Sequence, residues 1–229
     1  MSENCLNSAP TPLMHHRDSM SPRPTRRKPS PIPGTEPARR ALFIDRWGTL
    51  IDLPPGGFAP FLECRIAPGV TDLLFRLSGA GWNLYLIGNE DLVANGRVRD
   101  EEWASFEHSL LEYLQGQGVR ILRNYACLEH PTEGVGAHKR TSVFRLPDTG
   151  IFFHARQNDG VAVERSFLVG DSTLEIAAGS RAGLRTVGLA TGSGCRDGEY
   201  MVEPDIRATD LREALEFFLR SEVGSTKAA

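Results

Sequence analysis

Five short apolar runs, separated by polar or amphipathic stretches, restrict this chain to a layered α/β fold. They are ALFID (41–45), WNLYLIGN (82–89), VRILRNYAC (119–127), SFLVGD (166–171) and LRTVGLA (184–190). Runs of this length and composition read as strands buried on both faces. The segments between them carry helical spacing. A short helix is predicted over 69–79, and DEEWASFEHSLLEYLQGQG puts Trp103, Phe106, Leu110 and Leu114 on one face before Gly116 and Gly118 end it. PDTGIFFHARQN (147–158) predicts a helix with Pro147 near its start. STLEIAAGSRAG predicts a small-residue helix, and ATDLREALEFFLRSE an amphipathic one capped by Thr209 or Asp210. Strand–helix alternation of this kind predicts a parallel sheet in three layers with right-handed crossovers.

The domain is expected to span 39–222. Residues 1–38 are rich in Pro and Ser, with a basic cluster at Arg23, Arg26, Arg27 and Lys28 and almost nothing apolar to bury, so they read as a disordered tail. Residues 223–229 read as a disordered end. The tail is taken as a solvated arm, with docking of a protein partner as the alternative, and translation from Met1 or from Met20 is left open. A net charge of -3 gives no reason to expect nucleic acid or an anionic membrane as partner. No apolar run has the length of a transmembrane helix. Cys5, Cys64, Cys127 and Cys195 form no CxxC pair, which fits a reducing, cytoplasmic setting.

In parallel sheets chemistry gathers at the carboxyl ends of strands. Three polar residues stand there: Asp45, Asn89 and Asp171. Two carboxylates brought to one sheet edge suit a hard divalent cation such as Mg²⁺. Their structural alternative is capping of the helices that follow.

DRWGTLI (45–51) and VGDSTLE (169–175) together resemble the first and fourth motifs of the haloacid dehalogenase (HAD) superfamily, Asp-x-Asp-Gly-Thr and Gly-Asp-x-x-x-Asp. Arg46 after the first aspartate is similar to the heptose bisphosphate and histidinol-phosphate phosphatases. NEDLVANG, CLEHPTEG and RLPDTG stand where that branch has its other loops, so the resemblance runs from about Ala41 to Gly192. It implies a Rossmann-like sheet without a large cap domain, and Asp45 as a nucleophile on phosphorus. It also implies Mg²⁺ held by Asp45, the backbone carbonyl of Trp47 and Asp171, with Glu175 standing behind the ligands. Thr49, Asn89 and Arg145 are the implied ligand-binding residues, and the ligand a small phosphorylated sugar or amino alcohol facing the 128–145 loop.

The resemblance also marks what is missing. Trp47 stands where the family has the aspartate that protonates the leaving group, and an indole N–H is no acid or base near neutral pH. The second-motif Ser/Thr falls on Gly88 and the third-motif Lys on Leu146. In the Cys/His loop Cys127 remains, but His130 is displaced, Glu129 takes its place, and Ser142 and Phe144 replace the cysteine pair, so no tetrahedral zinc site is expected. Losing a general acid costs about 10²–10⁴ in rate and losing a charge-stabilising donor about 10²–10³. These values point to a phosphatase whose activity is weak or lost. Glu90 or Asp91 would be the substitute proton carriers if activity survives; Lys139, Arg140 and Arg145 read otherwise as solvated charges. The alternatives are a non-catalytic phosphosugar-binding or scaffold protein and, further off, a dehalogenase-like hydrolase, since that group also has an aromatic residue at the Trp47 position.

Overall fold

The computed structural model describes residues 39–226; the tail expected over 1–38 and the last three residues lie outside them. Six parallel strands form one sheet: β1 (Ala41–Asp45), β2 (Asn83–Asn89), β3 (Ile121–Cys127), β4 (Phe167–Gly170), β5 (Arg185–Leu189) and β6 (Ile206–Ala208). Their order is β3-β2-β1-β4-β5-β6. Helices α1 (Val70–Gly79), α2 (Asp91–Ala94), α3 (Asp100–Gly116), α4 (Gly150–Asp159), α5 (Thr173–Ala182) and α6 (Leu211–Thr226) follow in chain order. This is the α/β, Rossmann-like arrangement expected from the strand–helix alternation.

β1 lies in the middle and is buried along its whole length. Its side chains alternate between faces. Leu42 and Ile44 join Leu74, Leu77, Leu110, Leu114 and Phe218 on one side. Ala41 and Phe43 join Tyr85, Phe152, Ala155 and Leu168 on the other. Two buried faces are why these strands read as continuous apolar runs rather than as alternating ones.

Several boundaries differ from the sequence reading, each for a local reason. β3 starts at Ile121 because Val119 N–H bonds back to the Leu114 carbonyl at 2.9 Å, completing the end of α3 through Gly118. α4 starts at Gly150 rather than Pro147, because Asp148 N–H turns back to Arg145 at 2.9 Å and Gly150 N–H to Val143 at 3.0 Å. β6 was not expected: three residues, none fully buried, carry too little apolar signal. α2, four residues long, is likewise too short to show periodicity. α6 continues to Thr226, past the domain end expected at 222.

The strand order reverses at β1, whose two neighbours are β2 and β4. A crevice opens at such a switch point, outside the carboxyl ends of the strands. Asp45 ends β1 and Asp171 follows β4, so the fold brings both carboxylates to this crevice.

Candidate active site

After Asp45 the chain closes a tight loop, with Gly48 N–H bonding the Ile51 carbonyl at 2.7 Å and Ile51 N–H bonding the Arg46 carbonyl at 2.9 Å. Neither bond uses the Trp47 carbonyl. Gly48 has φ +82°, and a Cβ there would lie 2.6 Å from Asp171 Oδ2. Only glycine satisfies both conditions. Thr49 Oγ1 donates to Asp171 Oδ1 at 3.1 Å, and Ser193 N–H donates to Asp171 Oδ2 at 2.6 Å. Asp171 is thus oriented by two segments, at 48–49 and at 192–193, that lie far from it in the sequence.

Gly192 is the tightest point of the cradle, since a Cβ there would lie 2.0 Å from Asp171 Oδ2 at φ +53°. Gly192→Ala is therefore expected to displace the carboxylate. Denaturant unfolding should show a loss of about 1–3 kcal/mol, the range for overpacking and backbone strain. An unchanged midpoint would mean that the loop relaxes freely.

Asp45, Asp171 and Glu175 are each more than nine-tenths buried. Burial pushes the Asp45 carboxyl well above its usual range, and the charges of Glu175 and Asp171 add to the rise while Arg46 opposes it. Burial likewise raises Asp171, and it raises Glu175 to about 7, with Asp171 contributing. Glu175 is held by Ser172, whose N–H donates to Glu175 Oε2 at 3.1 Å in a capping box that starts α5. Clustered buried carboxylates of this kind disfavour one another's ionisation unless a cation lies among them. Among the described residues no three His, Cys, Asp or Glu side chains converge closely enough to hold an ion by themselves. Two carboxylates with one backbone carbonyl, completed by water or phosphate oxygens, remain a hard-oxygen set that fits Mg²⁺.

The other half of the site departs from the sequence reading in its detail. Arg46 is fully buried and its guanidinium pairs with Glu90. It also donates to Asn124 Oδ1 at 2.5 Å and lies 5.1 Å from the centroid of the Trp103 ring. The second oxygen of Glu90 accepts the Trp47 indole N–H at 3.0 Å. Burial raises the Glu90 carboxyl, while the Arg46 charge and the indole bond pull it back. Trp47 stacks on Phe106 at 4.8 Å and meets Phe58 edge-on at 6.0 Å. A Cβ on Gly88 would lie 2.8 Å from Arg46 Nη1, 3.1 Å from Glu90 Oε1 and 3.7 Å from Asp45 Oδ1. The space of the second-motif side chain is thus occupied by the Arg46–Glu90 pair.

Leu146, at the third-motif lysine position, is buried in the apolar cluster of Phe43 and Ile87. Asn89 commits both amide atoms to it, with Nδ2 donating to the Leu146 carbonyl and Oδ1 accepting its N–H, each at 2.9 Å. Arg145 grips Asp91 with both terminal nitrogens at 2.6 and 3.1 Å. In the former Cys/His loop, Cys127 Sγ lies 3.4 Å from Glu129 Oε2, Glu129 accepts from Arg140 at 2.5 Å, and His130 Nδ1 accepts the Glu133 N–H at 2.9 Å. Sequence reasoning missed Ser193, Gly192, Asn124 and Trp103. Only the GSG-type turn after β5 carried a signal, as a glycine-rich loop at a strand's carboxyl end.

A family model described as HAD-hydrolase-like matches residues 143–214. The D-glycero-D-manno-heptose-1,7-bisphosphate 7-phosphatase of Thermosynechococcus vestitus is 30% identical over 187 residues, covering 78% of this chain and 95% of its own length. This chain belongs to the HAD superfamily, in its heptose bisphosphate phosphatase branch. The corresponding enzyme of Rhodopseudomonas palustris is 28% identical over 148 residues, covering 65% of this chain and 82% of its own length. In structure, the D,D-heptose 1,7-bisphosphate phosphatase of B. bronchiseptica, complexed with magnesium and phosphate, superposes with a TM-score of 0.68 at 21% identity, over 80% of this chain and 99% of that one. The HAD fold is therefore present over nearly the full length of its relatives. Among the described residues no helix is long and apolar enough to cross a membrane.

Proposed function

We propose that this HAD-family chain binds a small phosphorylated sugar of its relatives' class together with Mg²⁺, and hydrolyses it orders of magnitude more slowly than an ordinary phosphatase. The observation that carries the reading is the fate of position 47. The residue that would move the proton is an indole stacked on Phe106 with its N–H committed to Glu90.

The binding half is supported by Asp45 and Asp171 at one crevice, with Thr49 and Ser193 N–H orienting Asp171. Asp45, the Trp47 carbonyl and Asp171 would hold the cation, with Glu175 behind them. When bound, Mg²⁺ offsets negative charge on the phosphoryl oxygens. Asp45 keeps the position of the attacking carboxylate. Arg145, oriented by Asp91, is assigned to the ligand.

The proton-transfer half lacks a working group. Glu90 follows β2 and is a candidate, but its two oxygens are taken by Arg46 and Trp47. A carboxyl whose two oxygens are both engaged in this way is poorly placed to give a proton to a leaving alkoxide. With no donor at Gly88 and no ammonium at Leu146, the developing charge also lacks two of its usual partners.

Isothermal titration of the full chain with a heptose bisphosphate, with and without Mg²⁺, tests the binding half. Saturable heat that weakens at least tenfold in Asp171→Asn is expected. Equal binding by the variant, or none by either protein, would remove the ligand reading and leave a scaffold.

A further inference from the structure

The loop between β5 and β6 (190–205) meets the segment 171–173 at three alternate residues. Ser193 N–H donates to Asp171 Oδ2 at 2.6 Å, and Cys195 N–H donates to the Asp171 carbonyl at 2.6 Å. Asp197 then grips the first turn of α5, its Oδ2 accepting the Thr173 N–H at 2.8 Å and its Oδ1 the Thr173 hydroxyl. The chain closes around this tie, with Glu199 N–H donating to Asp197 Oδ1 at 3.1 Å and Tyr200 N–H to Thr173 Oγ1 at 3.0 Å. Cys195, between the two anchors, is the one non-glycine among the described residues with a positive φ, at +52°. An L-residue takes up that conformation where its surroundings impose it, and such positions gather at functional sites.

We propose that Asp197 is a positioning residue for the cation site, anchoring this loop so that Asp171 keeps the orientation in which it takes Mg²⁺. The inference rests on the Mg²⁺ reading given above. An ionised carboxylate has about four acceptor positions, two on each oxygen. Thr49 occupies one on Oδ1 and Ser193 N–H one on Oδ2. Each oxygen therefore keeps a position for a cation, and the two donors fix where it points. Ser193 lies between Gly192 and Gly194, both at positive φ, and glycine loses the most conformational freedom when it is ordered. An anchor further along the chain limits that freedom. Asp197 supplies it at the amino end of a helix, where an unpaired N–H and the helix dipole both favour a carboxylate.

The fold contains a comparison for a purely structural role. Thr186 N–H and Oγ1 both donate to Asp205 Oδ2, at 2.7 and 3.0 Å, and Asp205 N–H donates to Thr186 Oγ1 at 3.1 Å. This repeats the Asp197–Thr173 arrangement at the other end of the same loop. Thr186 pairs with Leu168 in β4, three residues before Asp171, so the second tie holds the loop without acting on the carboxylate.

Titration of the full chain with Mn²⁺ alone, which takes the same hard oxygen ligands, tests the assignment, with free metal read from its EPR signal. The parent should bind saturably. In Asp197→Ala the dissociation constant should rise about tenfold or more, the scale on which groups behind metal ligands act. Asp197→Asn keeps an oxygen for the Thr173 N–H and offers an amide N–H to the Thr173 hydroxyl, so it should bind close to the parent. Asp205→Ala should bind as the parent does. Equal affinity in Asp197→Ala and the parent, an equal loss in Asp205→Ala, or a loss in Asp197→Asn as large as in Asp197→Ala would overturn the assignment. No saturable binding by the parent would instead remove the cation reading, and the assignment with it.

Discussion

Arg46→Ala will lower the stability of this protein by about 3–5 kcal/mol, the cost of leaving one member of a buried ion pair without the other. Arg46 is wholly buried and Glu90 is 5% exposed, so neither charge is rescued by solvent. The loss arises on the Glu90 side, where a carboxylate would keep only the Trp47 indole as partner. Urea denaturation of three proteins checks this. Arg46→Ala should lose most of the stability, and Arg46→Leu/Glu90→Gln should recover a large part of it, because the pair is removed together and the indole retains an acceptor. A single variant within about 1 kcal/mol of the parent would mean that the guanidinium contributes no more than a surface charge does.

Trp47→Asp restores the family's residue and is nevertheless expected to raise phosphate release by less than about tenfold. The new carboxylate would face Glu90, whose oxygen lies 3.0 Å from the present indole nitrogen. Two carboxylates sharing one pocket raise each other's pKa and compete for Arg46. The substitution also removes the stack on Phe106 and the edge contact with Phe58, loosening the loop that carries Asp45. Gly88 and Leu146 would still lack their donors, each worth about 10²–10³ in rate. Adding Gly88→Ser does not repair this, because its Cβ would meet Arg46 Nη1 at 2.8 Å. Continuous phosphate assay of Trp47→Asp against the parent decides the matter. A turnover near the common value of about 10 per second would show that only the proton carrier was missing.

These two results turn on residues whose importance a sequence shows unequally. The strands were legible because burial on both faces writes continuous apolar runs, and Asp45 and Asp171 because each ends such a run at a switch in strand order. Trp47, Gly88 and Leu146 were legible as departures from a family pattern. What replaced them was not. Arg46 follows the nucleophile in its relatives too, so nothing in the chain says that its guanidinium turns inward to Glu90, Asn124 and Trp103, which lie 44 to 78 residues away. Asn89 ends β2, and nothing in the sequence shows that its amide bonds the backbone of Leu146. Long-range side-chain pairing of this kind leaves no periodicity. β6 and α2 escaped notice for the plainer reason of length.

Two of the altered positions, 47 and 88, form one packed unit with Arg46 and Glu90, while Leu146 packs separately with Phe43 and Ile87. Trp47 holds Glu90, Glu90 holds Arg46, and Arg46 fills the space that Gly88 vacates. A chain drifting after loss of function would be expected to leave cavities or unmet charges there. One atom of the network, Arg46 Nε, lacks a partner; the rest is bonded or stacked.

The most direct measurement is a ³¹P spectrum of the full chain mixed with a heptose bisphosphate and Mg²⁺, followed for hours. The resonances of the bound ester should shift or broaden saturably while inorganic phosphate accumulates no faster than about one equivalent per several minutes, and Asp45→Asn should abolish even that. Complete conversion within seconds would contradict the account.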